Sequence, residues 1–199
     1  TTWPGLLALE IALATHGPSP QRLLDVGCGD GTLLAAAAES SPETELVGID
    51  IDHGAVEQTR ERLAGHAHAQ THLADAADVG AHAGFPYGRP DLVLVHLNLG
   101  LWSDPLAGLC AIAESLAPGG TCYVVDLARP ESEDRDRLLD TVSGAERNYL
   151  SDQLAASFDL GEARSLVDEV TRRVPGTHGS ALLGGLVLVL VWTAVVLAY

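Results

Sequence analysis

A formal net charge of −16 over 199 residues, with a pI near 4.6, argues against an electrostatic grip on nucleic acid, because phosphate binding needs a basic face. A hydrophobic content of 47% fits a single α/β domain over residues 1–199 that buries roughly 70% of the surface its unfolded chain exposes. We therefore expect one compact domain and no nucleic-acid partner.

The cysteines and the start of the chain bear on location. Cys28, Cys110 and Cys122 are odd in number and fall in a predicted loop, helix and strand, which is typical of reduced thiols inside a cell. No basic segment followed by an apolar one, the mark of a secretory leader, opens the sequence. These features predict a cytoplasmic protein.

The first predicted element is a helix over residues 2–16. This stretch is rich in leucine, Pro4 suits a first helical turn, and Gly17 and Pro18 end the pattern.

Residues 23–34, LLDVGCGDGTLL, contain a glycine-rich loop between a strand and a helix. The first letters suit a short buried parallel strand, and residues 32–39, rich in Leu and Ala, suit a helix. Gly27, Gly29 and Gly31 let the backbone turn sharply and leave its N–H groups open to a ligand. The loop predicts a nucleotide-type site.

Charge beside this loop indicates which nucleotide. The spacing is G-x-G-x-G, unlike the G-x-G-x-x-G of dinucleotide sites, with Asp25 before the first glycine and Asp30 between the second and the third. A pyrophosphate would meet two carboxylates there, whereas S-adenosylmethionine brings an ammonium and a sulfonium that carboxylates attract. The polarity favours S-adenosylmethionine.

Four further segments continue the pattern in order. A strand that ends in an acidic residue fits residues 46–52, LVGIDID, and another aspartate lies in residues 72–78, HLADAAD. A strand and the loop after it fit residues 90–105, PDLVLVHLNLGLWSDP. A turn and a strand fit residues 116–127, LAPGGTCYVVDL. Together with the glycine loop, these segments resemble the class I S-adenosylmethionine-dependent methyltransferases of the small-molecule type.

The resemblance implies a set of cofactor contacts. Asp50 would take the ribose hydroxyls and Asp75 would face the adenine amino group. The full implied cofactor-binding set is Asp25, Gly27, Cys28, Gly29, Gly31, Asp50, Ile51, Asp75, Ala76 and His96.

The resemblance also implies the architecture, a three-layer αβα sandwich. Its Rossmann-like, mostly parallel seven-stranded sheet would have the order 3-2-1-4-5-7-6, with an antiparallel last strand. The site would lie at the carboxyl ends of the strands, between the first and the fourth.

His96 follows an apolar run and should end the fourth strand, where this fold places reacting groups. Two roles are open: a general base that accepts a proton from the acceptor, or a neutral side chain that packs beside the cofactor. The histidine common in the family a few residues later is replaced here by Gly100 or Leu101. Asn98 and Trp102, in the same loop, are candidate substrate contacts.

Two segments could cover the site. In the resembled family a helix ahead of the glycine loop often acts as a lid, so residues 2–16 either do this or simply cover the sheet. Residues 131–158 form a polar insertion after the fifth strand, either a cap that carries substrate contacts or a charged surface helix. Its candidate substrate contacts are Tyr149, Asp152 and Gln153.

Neither histidine clustering nor helix capping adds chemistry. His66, His68, His72 and His82 sit on different predicted elements without a rigid common frame, so no metal site is predicted. Asp104 precedes Pro105 and is expected to cap a helix.

The tail, residues 181–199, carries no charge and has two interpretations. A membrane span needs about 20 apolar residues, which makes the length borderline. Its density of Val and Leu favours a buried strand over residues 185–193, with the role of residues 195–199 left open.

The predicted function is methyl transfer from S-adenosylmethionine to an oxygen, nitrogen or carbon of a small molecule, by a monomer or homodimer. Two alternatives stay open: other sulfonium chemistry, such as intramolecular displacement or cyclisation, or a non-catalytic binding protein.

Overall fold

The computed structural model describes residues 9–10, 12–14, 16, 20–79, 88–184 and 187–194. The predicted first helix covers residues 2–16, and of these the structure describes residues 9–10, 12–14 and 16, all of which are helical. The other residues of this stretch lie outside the described residues. His82 and residues 195–199 also lie outside it.

The centre of the fold is a sheet with the order β3-β2-β1-β4-β5-β7-β6. Its first five strands run parallel, and β7 pairs antiparallel with both β5 and β6. The strands are β1 Arg22–Val26, β2 Glu45–Asp50, β3 Ala69–Leu73, β4 Leu92–His96, β5 Thr121–Leu127, β6 Thr177–Gly184 and β7 Val187–Ala194. The predicted Rossmann-like α/β fold is confirmed.

Helices alternate with the parallel strands. They are α1 Thr32–Ser40, α2 His53–Arg62, α3 Pro105–Ser115, α4 Ser132–Leu139, α5 Gly144–Ala156 and α6 Leu160–Arg173, with single 3₁₀ turns at Ala76–Val79 and Leu99–Leu101.

Side chains of β1, β2, β4 and β5 alternate between two cores, as a period of two requires. Leu24 and Val26 face the core that contains α3 and α6, whereas Leu23 faces the one that contains α1. Leu9 and Ala12 join this second core. Two helical layers therefore enclose the sheet.

Capping side chains fix several helix starts. Asp104 accepts a hydrogen bond from the backbone N–H of Ala107 at 2.9 Å, which confirms its predicted role. Asp159 and Glu162 form a reciprocal capping box at the start of α6.

The insertion, residues 131–158, forms α4 and α5, and the chain segments at its two ends are bonded to each other. Ala128 pairs with Phe158 in an isolated parallel bridge, and Arg129 donates from its side chain to the carbonyl of Ser157 at 2.6 Å. Its two ends are therefore held together beside β5.

In the tail, β6 and β7 occupy the edge beyond β5. The sequence pattern located a strand near β7 but assigned none to Thr177–Gly184. In the part of the chain that the structure describes, no helix is long and apolar enough to cross a membrane.

The topology fixes where a site can form. β1 pairs with β2 on one side and with β4 on the other, so the connections leave β1 in opposite directions. Val26 lies beside Val95, which brings the glycine loop next to His96. This is the switch point at which open α/β sheets bind ligands.

Candidate functional site

A cavity of about 480 Å³ opens at this switch point, within the usual range for small-molecule sites. Its lining residues come from five short regions: Asp25, Val26, Gly27, Cys28, Gly29, Asp30 and Leu33; Asp50 and Ile51; Ala74, Asp75 and Ala76; His96, Leu97, Asn98, Leu101, Trp102 and Ser103; and Tyr149.

The glycine loop is held against the end of β2. The backbone N–H groups of Gly27 and Cys28 both donate to the carbonyl of Ile49, at 2.8 and 3.0 Å. Burial, together with the charge of Asp25, raises the pKa of the Cys28 thiol to about 12. Cys28 is therefore a protonated packing residue in the loop and not a reactive thiolate.

The three loop glycines have different tasks. All have positive φ (76°, 54° and 76° at Gly27, Gly29 and Gly31). A Cβ on Gly29 would meet no atom within 4 Å, so there is open space beside this glycine, which lines the cavity. Gly31, predicted to contact the cofactor, is not on the cavity wall and lies against Thr59, 2.8 Å from where its Cβ would stand.

Asp50 ends β2 and faces the loop. Its carboxylate accepts from the N–H of Gly29 at 3.0 Å with one oxygen and from the N–H of Asp52 at 2.9 Å with the other. Each carboxylate oxygen can accept two hydrogen bonds. Asp50 is thus oriented by the backbone and keeps one accepting position on each oxygen.

Asp25 lies beneath the loop and is 2% exposed. Burial, and secondarily the charge of Asp50, raises its pKa to about 7. A carboxylate in this position is ready to be stabilised by a cation in the cavity.

Asp30 differs from the prediction made for it. It lines the cavity, but its carboxylate is 2.8 Å from a guanidinium nitrogen of Arg62. Burial opposes ionisation, but hydrogen bonds from Thr32 and the charge of Arg62 outweigh it and hold the pKa of Asp30 below its usual range. Its charge is therefore already paired with a cation that lies off the cavity wall.

Ile51, Asp75 and Ala76 form the next part of the wall. The Ile51 side chain is 70% exposed directly after Asp50. The Asp75 carboxylate accepts from the N–H of Ala77 at 2.9 Å with one oxygen. An apolar side chain and a fixed carboxylate thus both line this cavity.

His96 ends β4 on the cavity wall. Burial lowers the pKa of its imidazole, so the neutral form dominates at pH 7. The next residue, Leu97, has φ 55°, a backbone conformation that costs a branched residue about 1–2 kcal/mol. Such strain at the end of a strand is typical of functional loops.

Asn98, predicted as a substrate contact, is engaged within the protein. Its amide nitrogen donates to the carbonyls of Val26, Gly27 and His96 at 2.9, 3.3 and 3.2 Å, and its oxygen accepts from the Trp102 indole at 2.9 Å. Asn98 therefore joins the glycine loop to the loop after β4, and it holds Trp102 on the wall.

The insertion contributes Tyr149 to the cavity, as predicted, but the structure does not bring Asp152 or Gln153 there. Gln153 is buried and donates to the Tyr149 hydroxyl at 3.1 Å, as residues four apart on a helix can. Asp152 is exposed. It precedes Gln153 by one residue, and consecutive residues of an α-helix point about 100° apart around its axis.

Several cavity residues carried no sequence signal: Val26, Leu33, Ala74, Leu97, Leu101 and Ser103. They are apolar or small, so nothing in their side-chain chemistry marks them as site residues in the sequence. Among the described residues, no group of three or more His, Cys, Asp or Glu could hold a metal ion.

The loop geometry makes a testable distinction between two glycines. Gly27→Ala should destabilise the protein by about 2–4 kcal/mol, because its Cβ would stand 2.2 Å from the Asn98 amide at positive φ. Gly29→Ala, with open space, should cost only about 1–2 kcal/mol. Urea unfolding measures both, and equal losses would contradict the close approach of Asn98.

Comparison with known proteins points in one direction. A family model described as a methyltransferase domain matches residues 24–122. Trans-aconitate 2-methyltransferase of Acidovorax sp. (strain JS42) is 30% identical over 153 residues, which cover 76% of this chain and 55% of that protein. Nocamycin O-methyltransferase of Saccharothrix syringae is 38% identical over 113 residues, 55% of this chain and 39% of that protein.

Solved structures share the fold over nearly the whole chain. The plantazolicin methyltransferase BpumL, in complex with a monoazolic desmethylPZN analogue and S-adenosylhomocysteine, has a TM-score of 0.78 at 22% identity, and the match covers 96% of this chain and 83% of that one. A methyltransferase from Aquifex aeolicus has a TM-score of 0.69 at 16% identity, with 97% and 94% covered. The chain spans about half the length of the curated relatives it matches first.

Proposed function

Because the chain belongs to the class I S-adenosylmethionine-dependent methyltransferases, we propose that it transfers the methyl group of this cofactor to an oxygen, nitrogen or carbon of a small molecule. The observation that carries the proposal is the Asp50 carboxylate, held by the Gly29 N–H at the switch point of the sheet. The same cavity offers an apolar surface, a buried acid and a histidine around it.

The cavity residues fit the nucleoside part of the cofactor. The two remaining accepting positions of Asp50 suit the two ribose hydroxyls. The exposed Ile51 offers an apolar face for the adenine ring, and the free capacity of Asp75 suits its amino group. The open space beside Gly29 leaves the backbone accessible to the ligand.

Asp25 suits the methionine part. A buried carboxyl with a raised pKa ionises more readily when an ammonium enters the cavity, because the two charges attract strongly away from water. Asp30 is already paired with Arg62, which leaves Asp25 as the acid for this task.

The bound cofactor supplies a methyl group on a sulfonium sulfur, which keeps the bonding electron pair when the methyl group moves to the acceptor. This chain's residues would hold the acceptor in line with that group, which is catalysis by proximity. His96, neutral at pH 7, would take the proton that a hydroxyl or ammonium acceptor gives up.

The direct test is binding followed by transfer. The protein should bind S-adenosylhomocysteine in calorimetry, and it should transfer labelled methyl from S-adenosylmethionine to a member of a panel of small molecules. One relative is named for methylation of trans-aconitate, a carboxylate, and another for methylation of an oxygen. The panel therefore includes carboxylates and hydroxyl compounds. No cofactor binding would overturn the proposal, and a product that retains the methyl group on the cofactor would favour other sulfonium chemistry.

Asp50→Ala should weaken S-adenosylhomocysteine binding about tenfold or more, because each hydrogen bond to a charged acceptor is worth about 1.5–3 kcal/mol. Asp78→Ala removes the same charge at an exposed position that does not line the cavity, and it serves as the control. Equal affinities for the two variants would show that Asp50 makes no contact with the ligand.

Cofactor affinity should depend on pH through Asp25. With a pKa of about 7 in the unliganded protein, Asp25 is protonated below pH 7, so ammonium binding must release a proton there. Affinity should therefore fall by about tenfold for each pH unit below 7 and be constant above it. Calorimetry between pH 5.5 and about pH 8.5 measures this, and Asp25→Asn should abolish the slope.

The same substitution gives an independent reading from stability. The folded pKa of Asp25 is above its unfolded value of 3.8, so this group costs stability as pH rises from about 4 to 7. Asp25→Asn should accordingly stabilise the unliganded protein at pH 8 more than at pH 4. A stability change independent of pH would contradict the raised pKa.

We further propose that residues 1–199 form one domain with a seven-stranded sheet, an antiparallel last strand and a cap at residues 131–158, acting in the cytoplasm as a monomer or homodimer. The pairing of β7 with β5 supports the antiparallel last strand, the joined ends of the insertion support the cap, and the free thiols of Cys28, Cys110 and Cys122 suit a reducing compartment.

A further inference from the structure

The mouth of the cavity gathers exposed apolar side chains. Among the residues whose side-chain burial the structure describes, four large apolar side chains are exposed, and three of them, Ile51, Leu101 and Tyr149, line the cavity. The fourth, Leu73, does not. Apolar groups collected at one opening mark a binding surface. With Ile51 placed on the adenine side, Leu101 and Tyr149 are available to a second ligand.

These two side chains belong to elements that touch. Leu101 lies in the turn after β4, and Tyr149 lies on α5 of the insertion. Gly100 packs so closely on the end of α5 that its Cβ would stand 2.4 Å from the carbonyl oxygen of Ala156. Trp102 adds an aromatic ring to the same wall, held through its indole by Asn98. The wall is thus preformed, apolar and largely aromatic.

Charge around the cavity has one sign. Asp25, Asp50 and Asp75 line it, and the sequence contains no lysine. All 11 basic residues are arginines within the described ranges, and none of them lines the cavity. Arg62, the arginine bonded to the cavity residue Asp30, is thereby already paired. An anionic acceptor would therefore enter a negative field without a guanidinium partner.

We propose that the methyl acceptor is an uncharged, flat, predominantly apolar compound with one hydroxyl or amino group, such as an aryl alcohol or aryl amine, and that the site discriminates against carboxylates. This inference rests on the proposed methyltransferase function. Leu101, Trp102 and Tyr149 hold the ring, and His96 faces the polar group.

A charge-matched pair of probes tests it on the full chain saturated with S-adenosylhomocysteine. Calorimetry should show 2-naphthol, uncharged at pH 7, binding at least about tenfold more tightly than 2-naphthoate or propane-1,2,3-tricarboxylate. Leu101→Ala should weaken 2-naphthol binding by about five- to tenfold and leave S-adenosylhomocysteine affinity unchanged. Leu73→Ala, which removes an equal side chain outside the cavity, should change neither.

The outcomes separate the two levels of inference. Failure to bind S-adenosylhomocysteine overturns the proposed function itself. If that ligand binds, then equal or tighter binding of either carboxylate overturns the acceptor class, and so does a failure of 2-naphthol to bind at all. Equal effects of the Leu101 and Leu73 variants on 2-naphthol would likewise overturn the assigned wall.

Discussion

Deletion of residues 187–194 should abolish folding of the soluble protein. β7 lies between β5 and β6, and its removal exposes the ladder of β5 from Thr121 to Leu127. Tyr123 and Val124 of that strand are buried on opposite faces of the sheet, in the two separate cores. Unpaired backbone groups and an uncovered sheet edge together exceed the 5–15 kcal/mol that typically stabilises a domain.

A chain ended after Ala194 keeps all seven described strands and controls for tail length. Circular dichroism, size exclusion and S-adenosylhomocysteine binding on both preparations measure the difference. If the protein lacking residues 187–194 stayed monomeric, folded and ligand-binding, the tail would be peripheral, and the membrane interpretation of its apolar sequence would regain weight.

The parts of this fold that the sequence predicts are those governed by local rules. Buried parallel strands read as short apolar runs, which located β1, β4 and β5 to within a residue or two. Asp104 before Pro105 specified a helix start through two short-range effects. Gly27 and Gly29 were found because a turn from strand to helix requires positive φ.

Contacts between distant segments account for the differences. Asp30 meets Arg62, 32 residues away, and its charge, on which the choice of cofactor partly relied, is paired with that guanidinium. Asn98 meets Val26 across 72 residues and joins the two loops, a contact that the sequence did not predict. Neither pairing has a local signature. The argument for a cationic ligand survives because Asp25, buried under the loop, supplies the acid.

The insertion shows the same limit at the scale of one helix. Tyr149, Asp152 and Gln153 were equivalent as polar or aromatic residues in a predicted helix. Which one reaches the cavity depends on how α5 is rotated about its axis, and the end of α5 packs closely against Gly100. The structure alone shows that Gly100, because it has no Cβ, leaves room for the Ala156 carbonyl oxygen.

His96→Ala should lower turnover by about 10²–10⁴-fold and leave S-adenosylhomocysteine affinity nearly unchanged, if the imidazole removes the proton of the methyl acceptor. The geometry favours this role, because His96 ends β4 on the cavity wall and is neutral at pH 7. Its lowered pKa also fixes the sign of the pH dependence. At saturating S-adenosylmethionine, where the pH dependence of cofactor affinity no longer matters, turnover should fall only below pH 6.5, where the imidazole becomes protonated and can no longer accept a proton.

His96→Asn and His66→Ala separate a base from a packing residue. Asparagine retains a polar side chain of similar reach but cannot take a proton near neutral pH, so a base predicts the same large loss as alanine. His66 is exposed and lies off the cavity wall, so its removal should leave turnover unchanged. Turnover within a few-fold of the parent for both His96 variants would mean that alignment of acceptor and methyl group suffices, and that the imidazole only packs beside the cofactor.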